Sequence, residues 1–202
     1  APSNEQLQNA EDRGVELIFT PIGKEAFVFL TNKENPVKNL SVEEIRQIYA
    51  GSITNWKDVG GEDEKILAFQ RNKNSGSQSA MERYVMRDMP FQKPIMEEFH
   101  SSMGGMIEGV ANYRNAKNAI GYSFRYYASV MNASENIQFL SIEGVAPTIE
   151  NIKNGSYPFT GDFYIVSTKN ISPNGQKLID WFLSEQGQRL IFDVGYVPIK
   201  EF

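Results

Sequence analysis

Apolar positions along this chain fall into two periods. Ile45, Ile48 and Tyr49, and again Met81, Tyr84 and Val85, recur at i, i+3, i+4, the stripe of an amphipathic helix. Val15 to Phe19, Ala26 to Leu30, Ala119 to Phe124, Ile137 to Leu140 and Phe163 to Thr168 are short apolar runs bounded by turn residues, and they predict strands. Thr20-Pro21-Ile22-Gly23 separates the first two. Helix punctuation fills the gaps between them. Ser3 reads as the N-cap of a helix to Arg13 that stops at Gly14, and Ser41-Val42-Glu43-Glu44 is a capping box whose helix stops at Gly51. Two or three helices are predicted between Phe91 and Arg114, and one over Arg125 to Met131. Pro147 predicts the first turn of a helix to Lys153, and Gln176 to Phe192 reads as a helical stretch with Gly187 inside it. Strands alternate with helices throughout, so the class is α/β.

The stretch from Ile66 to Met81 joins the two periods around a polar turn. An apolar run ends at Arg71, Ser75-Gly76-Ser77 follows, and a helix running to about Asp88 begins behind it. The start of a helix leaves backbone N–H groups unpaired and carries the positive end of the macrodipole. Ser75 and Ser77 add hydroxyl donors, Gly76 lets the backbone come close to a ligand, and Arg71 offers a fork of N–H groups suited to an oxyanion. The alternative is a plain N-cap beside a surface arginine.

The bulk numbers remove several function classes. The 202 residues are 41% hydrophobic and 22% charged, with a net charge of −5. That composition is ordinary for a globular chain and argues against a nucleic-acid partner, as does the lack of any Lys/Arg cluster. An anion site must therefore be local, working against the mean field of the molecule. There are no cysteines, so disulfides, thiolate catalysis and cysteine-held metals are excluded. No apolar stretch approaches the roughly 20 residues that span a bilayer. Chemistry elsewhere is sparse. His100 is the only histidine and lacks a ligand pattern around it, Glu43-Glu44 reads as a solvated helix face, and no Gly-x-Ser-x-Gly elbow or Gly-Lys-Ser/Thr phosphate loop is present. No cofactor and no enzymatic activity are expected. Ser101-Ser102 before Gly104-Gly105 reads as a helix start, with a second N–H nest as the alternative. Trp56 and Trp181 are expected in the core.

In order and spacing, the motifs resemble the phosphate-binding subfamily of the solute-binding proteins that serve ABC transporters. Asn35-Pro36-Val37, Ile48-Tyr49-Ala50-Gly51 and Ile53-Thr54-Asn55-Trp56 resemble the family's stretch before its anion loop. Arg71 with Ser75-Gly76-Ser77 resembles the family's Arg, then Ser-Gly-Thr, at the same spacing, and Ala119-Ile120-Gly121-Tyr122 its strand at the far side of that lobe. Gly144 to Thr148, Asn154 to Phe159, Asp180 to Ser184 with Gly187-Gln188, and Gly195 to Pro198 resemble the return to the first lobe and the C-terminal helix and tail.

The resemblance implies a two-lobe, periplasmic-binding-protein-like fold joined by crossing strands. By it, residues 32–157 are one complete lobe carrying the anion loop, and residues 1–31 and 158–202 are a remnant of the other. About a third of a family member precedes the position of Ala1, and the chain opens without an initiator Met, so a piece of a longer product is expected. Arg71, Ser75, Gly76 and Ser77 are then the ligand residues. The implied ligand is inorganic phosphate or a similar oxyanion, and the implied partner an ABC permease. The full-length precursor would be extracytoplasmic, periplasmic or lipid-anchored. Family members often carry an acidic residue where Lys73 stands, and this lysine is expected to point to solvent. The remaining alternative is an interaction or sensor module that keeps the fold without transport. An uncovered sheet edge would also favour a homo-oligomer.

Overall fold

A computed structural model of the chain describes residues 4–73, 75–93, 99–100, 102–112, 116–131 and 133–202. The chain begins with α1 (Asn4–Asp12), and then β1 (Leu17–Asn32) runs through both strand segments expected at this end. Ser3, the expected N-cap, lies outside the described residues. Thr20 to Gly23 is no turn: the strand continues, and its register with a partner strand slips between Pro21 and Gly23 in a β-bulge. The bulge accommodates a proline that cannot donate to the ladder, on a segment paired along one edge.

Next come β2 (Asn39–Leu40), α2 (Val42–Ala50), β3 (Leu67–Ala68), β4 (Gln70–Arg71) and α3 (Gly76–Ala80). In α2 both capping-box bonds are present, Ile45, Ile48 and Tyr49 are buried, and Gly51 closes the helix at φ 84°. α3 widens into a π-helical run over Met81–Met86, which ends at Arg87 with φ 51°. Met81 and Val85 are fully buried and Tyr84 partly so, matching the predicted stripe.

The block expected to hold two or three helices contains one among the described residues, α4 (Met103–Asn112). Before it, Phe99–His100 forms β5, parallel to β4. Ser102 caps α4, its Oγ accepting from Gly105 N at 2.9 Å, so a helix start is what this segment forms; Ser101 lies outside the described residues. The remaining elements are β6 (Ala119–Phe124), β7 (Ile137–Phe139), β8 (Ser141–Ile142), α5 (Ile149–Lys153), β9 (Thr160–Thr168), α6 (Pro173–Phe182) and α7 (Glu185–Asp193). Thr148, not Pro147, opens α5, its hydroxyl accepting from Asn151 N.

The expected helix over Gln176 to Phe192 is two helices. Ser184 caps the second, and Gly187 lies so close to the end of the first that a Cβ there would fall 2.1 Å from the Trp181 carbonyl. At this corner Gln188, fully buried, donates to the carbonyls of Ile22 and Phe182 and accepts from the N–H groups of Ile199 and Lys200. Trp56 is buried and donates to the Asn118 carbonyl, whereas Trp181 is only half-buried and packs on Phe182.

The main sheet has the order β3-β6-β1-β7, with β9 joined to the N-terminal half of β1. β6, β7 and β9 are antiparallel to β1, and β3 is parallel to β6. β1 thus passes from a ribbon with β9, Leu17 to Ala26, into the sheet centre at Phe27 to Asn32. Rings from several elements close on this second half: Phe27 lies 5.5 Å from Tyr122, and Phe29 lies 6.2 Å from Tyr49 and 6.0 Å from Phe159.

Candidate functional site

The polar turn after β4 is held from two sides before any ligand is considered. Arg71 N donates to the Tyr122 hydroxyl at 3.1 Å and to Gln78 Oε1 at 3.4 Å, and the Tyr122 hydroxyl donates to the same Oε1. A strand residue of β6 and a helix residue of α3 therefore fix the backbone where β4 ends. Burial raises the Tyr122 phenol far above its ordinary value, so it remains a neutral donor. Ser75 is the N-cap of α3, in extended backbone, with Oγ accepting from Gln78 N at 3.1 Å. Its O–H remains available to donate.

The side chains of this turn carry unspent capacity. Arg71 is 8% exposed, and its Nε and Nη1 have no hydrogen-bond partner among the described residues. The Ser77 hydroxyl is fully buried and equally unpaired. A guanidinium taken out of water is costly, commonly by several kcal/mol, unless a negative group pairs with it, and no described residue supplies one. Burial pulls the Arg71 pKa below its ordinary value, while Tyr122 and Tyr127 act in the opposite sense. A Cβ placed on Gly76 would meet nothing within 4 Å, which leaves the first N–H groups of α3 open in front. Lys73 is exposed, as expected. Ser79 is exposed on the first turn and donates its N–H to the Ser75 carbonyl, behind the donors.

The structure thus brings Arg71, Ser75, Gly76 and Ser77 around one turn. It adds Tyr122 and Gln78, which the sequence reading did not assign to the site. The signal for Tyr122 was a hydroxyl on a strand buried at every neighbouring position, since a buried phenol needs a partner. His100 lies on β5 opposite Arg71, and among the described residues no group of three or more His, Asp or Glu side chains is placed to hold a metal ion.

A second feature carried no sequence signal. A cavity of about 410 Å3 opens where β1 crosses from β9 to β6, between Glu25, Phe124, Tyr126 and Phe163. Glu25 Oε1 accepts from Ala26 N at 2.8 Å, and Oε2 accepts from Tyr126 N at 3.2 Å. Burial raises its pKa to about 7, against the opposing pull of those N–H groups and of Arg125. Along an alternating strand this glutamate reads as one more solvated charge.

The family model for a PBP superfamily domain matches residues 1–186. The phosphate-binding protein PstS of Bacillus subtilis is 27% identical over 172 residues, 84% of this chain and 54% of that protein. PstS of Borreliella burgdorferi is 28% identical over 188 residues, 90% of this chain and 66% of that protein. The chain thus spans between half and two thirds of the length of these curated relatives. Among solved structures, a protein of Clostridium perfringens described as a phosphate ABC transporter substrate-binding protein with bound phosphate has a TM-score of 0.76 and 29% identity. That match covers 99% of this chain and 76% of the other. An ABC-type phosphate transport receptor of Vibrio cholerae has a TM-score of 0.74 and 25% identity, covering 98% and 76%.

Proposed function

The chain belongs to the PBP superfamily, and from that premise we propose that it captures inorganic phosphate or a similar oxyanion for an ABC importer. The ligand residues are Arg71, Ser75, Gly76 and Ser77. Residues 32–157 form the lobe that carries them, and residues 1–31 with 158–202 belong to the other lobe. No covalent step is involved. Selection comes from matching ligand oxygens with fixed donors, and release from opening about the crossing strands β1 and β9. An extracytoplasmic setting, periplasmic or lipid-anchored, and docking to an ABC permease go with this role. Ile18, Phe19 and Val166, exposed on the β1–β9 ribbon, support self-association at high concentration.

One observation carries the reading: an arginine 8% exposed, beside a buried hydroxyl, with Nε, Nη1 and Oγ all unpaired among the described residues at the start of a helix. The names of the relatives, phosphate-binding proteins, support phosphate as the oxyanion. With donors on one side only, the far oxygens of a bound phosphate stay in water, and affinity of this chain should be near millimolar, about −4 kcal/mol. Calorimetric titration with phosphate tests it through two variants. Arg71→Ala should weaken binding by up to about fivefold, the worth of a partly solvated charge pair. Ser79→Ala should leave it within about twofold. Equal losses in the two variants would remove the site from this turn.

A further inference from the structure

The donors of the anion turn come from two elements. Arg71 ends β4, and Ser75, Gly76 and Ser77 open α3. A ligand held by both needs the guanidinium and the helix start at one fixed separation, because a hydrogen bond weakens steeply as its donor moves out of place. A buried triangle behind the turn sets that separation. The Arg71 N–H is shared between the Tyr122 hydroxyl at 3.1 Å and Gln78 Oε1 at 3.4 Å, and the Tyr122 O–H closes the triangle on the same Oε1. Gln78 stands on the first turn of α3, so β4, β6 and α3 meet at one acceptor. Gln78 and Tyr122 are both buried, and the one proton of the phenol is used here. They act through Arg71 and the helix start.

The amide at position 78 also has a consequence for charge. Both groups that meet Oε1 are donors, an N–H and an O–H, and the carboxylate of a glutamate would accept from them at least as well. It would also place a negative charge beside Arg71, answering the guanidinium from within and repelling an incoming anion. Gln78 makes the same bonds with no charge. Its Nε2 donates to Glu82 Oε1 at 3.4 Å, so the carboxylate one turn further on meets the amide. Arg71 Nε and Nη1 stay without a partner among the described residues.

We propose that Gln78 and Tyr122 are positioning residues for oxyanion binding, a neutral pair that fixes Arg71 against the start of α3 and leaves its charge to the incoming anion. The inference rests on reading that turn as an oxyanion site.

Calorimetric titration with inorganic phosphate tests it, on variants checked for native circular dichroism. Gln78→Glu should weaken binding about as much as Arg71→Ala, up to about fivefold. Gln78→Ala, which adds no charge, should cost less affinity than Gln78→Glu. Tyr122→Phe should weaken binding by about two- to threefold, and that loss should vanish when Arg71 is already alanine, since the phenol works through the arginine. Undiminished affinity in Gln78→Glu, or an alanine as damaging as the glutamate, would overturn the inference. So would a Tyr122→Phe loss of equal size with and without Arg71, the mark of a general packing defect. A Gln78→Glu chain that does not fold natively would overturn it too, because the two acceptors would then not be interchangeable. If only Arg71→Ala weakens binding, the inference falls and the oxyanion reading stands. If the unaltered chain binds no phosphate, both fall.

Discussion

The two halves of β1 are one strand in two environments. From Phe27 to Asn32 every residue is buried, with β6 on one edge and β7 on the other. From Leu17 to Ala26 the same backbone pairs with β9 along one edge, and on the other it makes, among the described residues, a single bridge, Lys24 to Val197. Ile18 and Phe19 there are 41% and 37% exposed, while Phe29 is fully buried. Hydrophobicity alone does not separate Phe19 from Phe29. The number of neighbours on edges and faces does, and that is set by elements far away in sequence, Tyr49 and Phe159 among them. A continuous ladder can therefore join a core-grade segment to a weakly held one, which is the mechanical requirement for a segment about which two bodies turn.

The comparison breaks most sharply at its centre. Phe29→Ala should cost about 3–5 kcal/mol in urea unfolding, the range for emptying a packed aromatic site. A loss below about 1 kcal/mol would mean that the second half of β1 is no tighter than the first.

At the junction of the halves, Glu25 should make stability depend on pH. Its pKa rises from 4.5 to about 7 in the fold, so the folded state holds the proton more firmly. The stabilisation is complete below about 4.5 and is lost as pH climbs through 7, by up to about 3 kcal/mol. Unfolding curves at pH 5 and pH 8 should show that difference, and Glu25→Gln should flatten it while raising stability at pH 8. An equal slope in the variant would place the proton elsewhere. The smallest effect belongs to the ribbon: Ile18→Thr should shift stability by no more than about 0.5 kcal/mol.

Much of this architecture was legible because its causes are local. The α2 box needs only Ser41 and Glu44 three residues apart, and the start of α3 only a serine before a short helical run. Arg71, Ser75, Gly76 and Ser77 lie within seven residues, so one segment displays them together. What escaped depends on distant partners. Thr20 to Gly23 carries turn residues, yet pairing with β9 draws it into a bulged strand. The break between α6 and α7 comes from the Ser184 cap and the close approach at Gly187, which a helical period through Trp181 and Ile191 conceals. Tyr122 reaches the anion turn across 51 positions, and its own strand shows that a buried phenol needs a partner but not which one.

The Gln188 amide described at the corner of α7 has a consequence for the order of assembly. Its four hydrogen bonds end on the β1 bulge, the last turn of α6 and the C-terminal tail, the farthest of them 166 residues away. Docking one segment alone leaves the remaining bonds of the Gln188 amide unmade, and a buried amide with half its bonds missing is worse than one still in water. The tail, the helix pair and the bulge should therefore close together, late and as a single cooperative event, with no partly latched form worth populating.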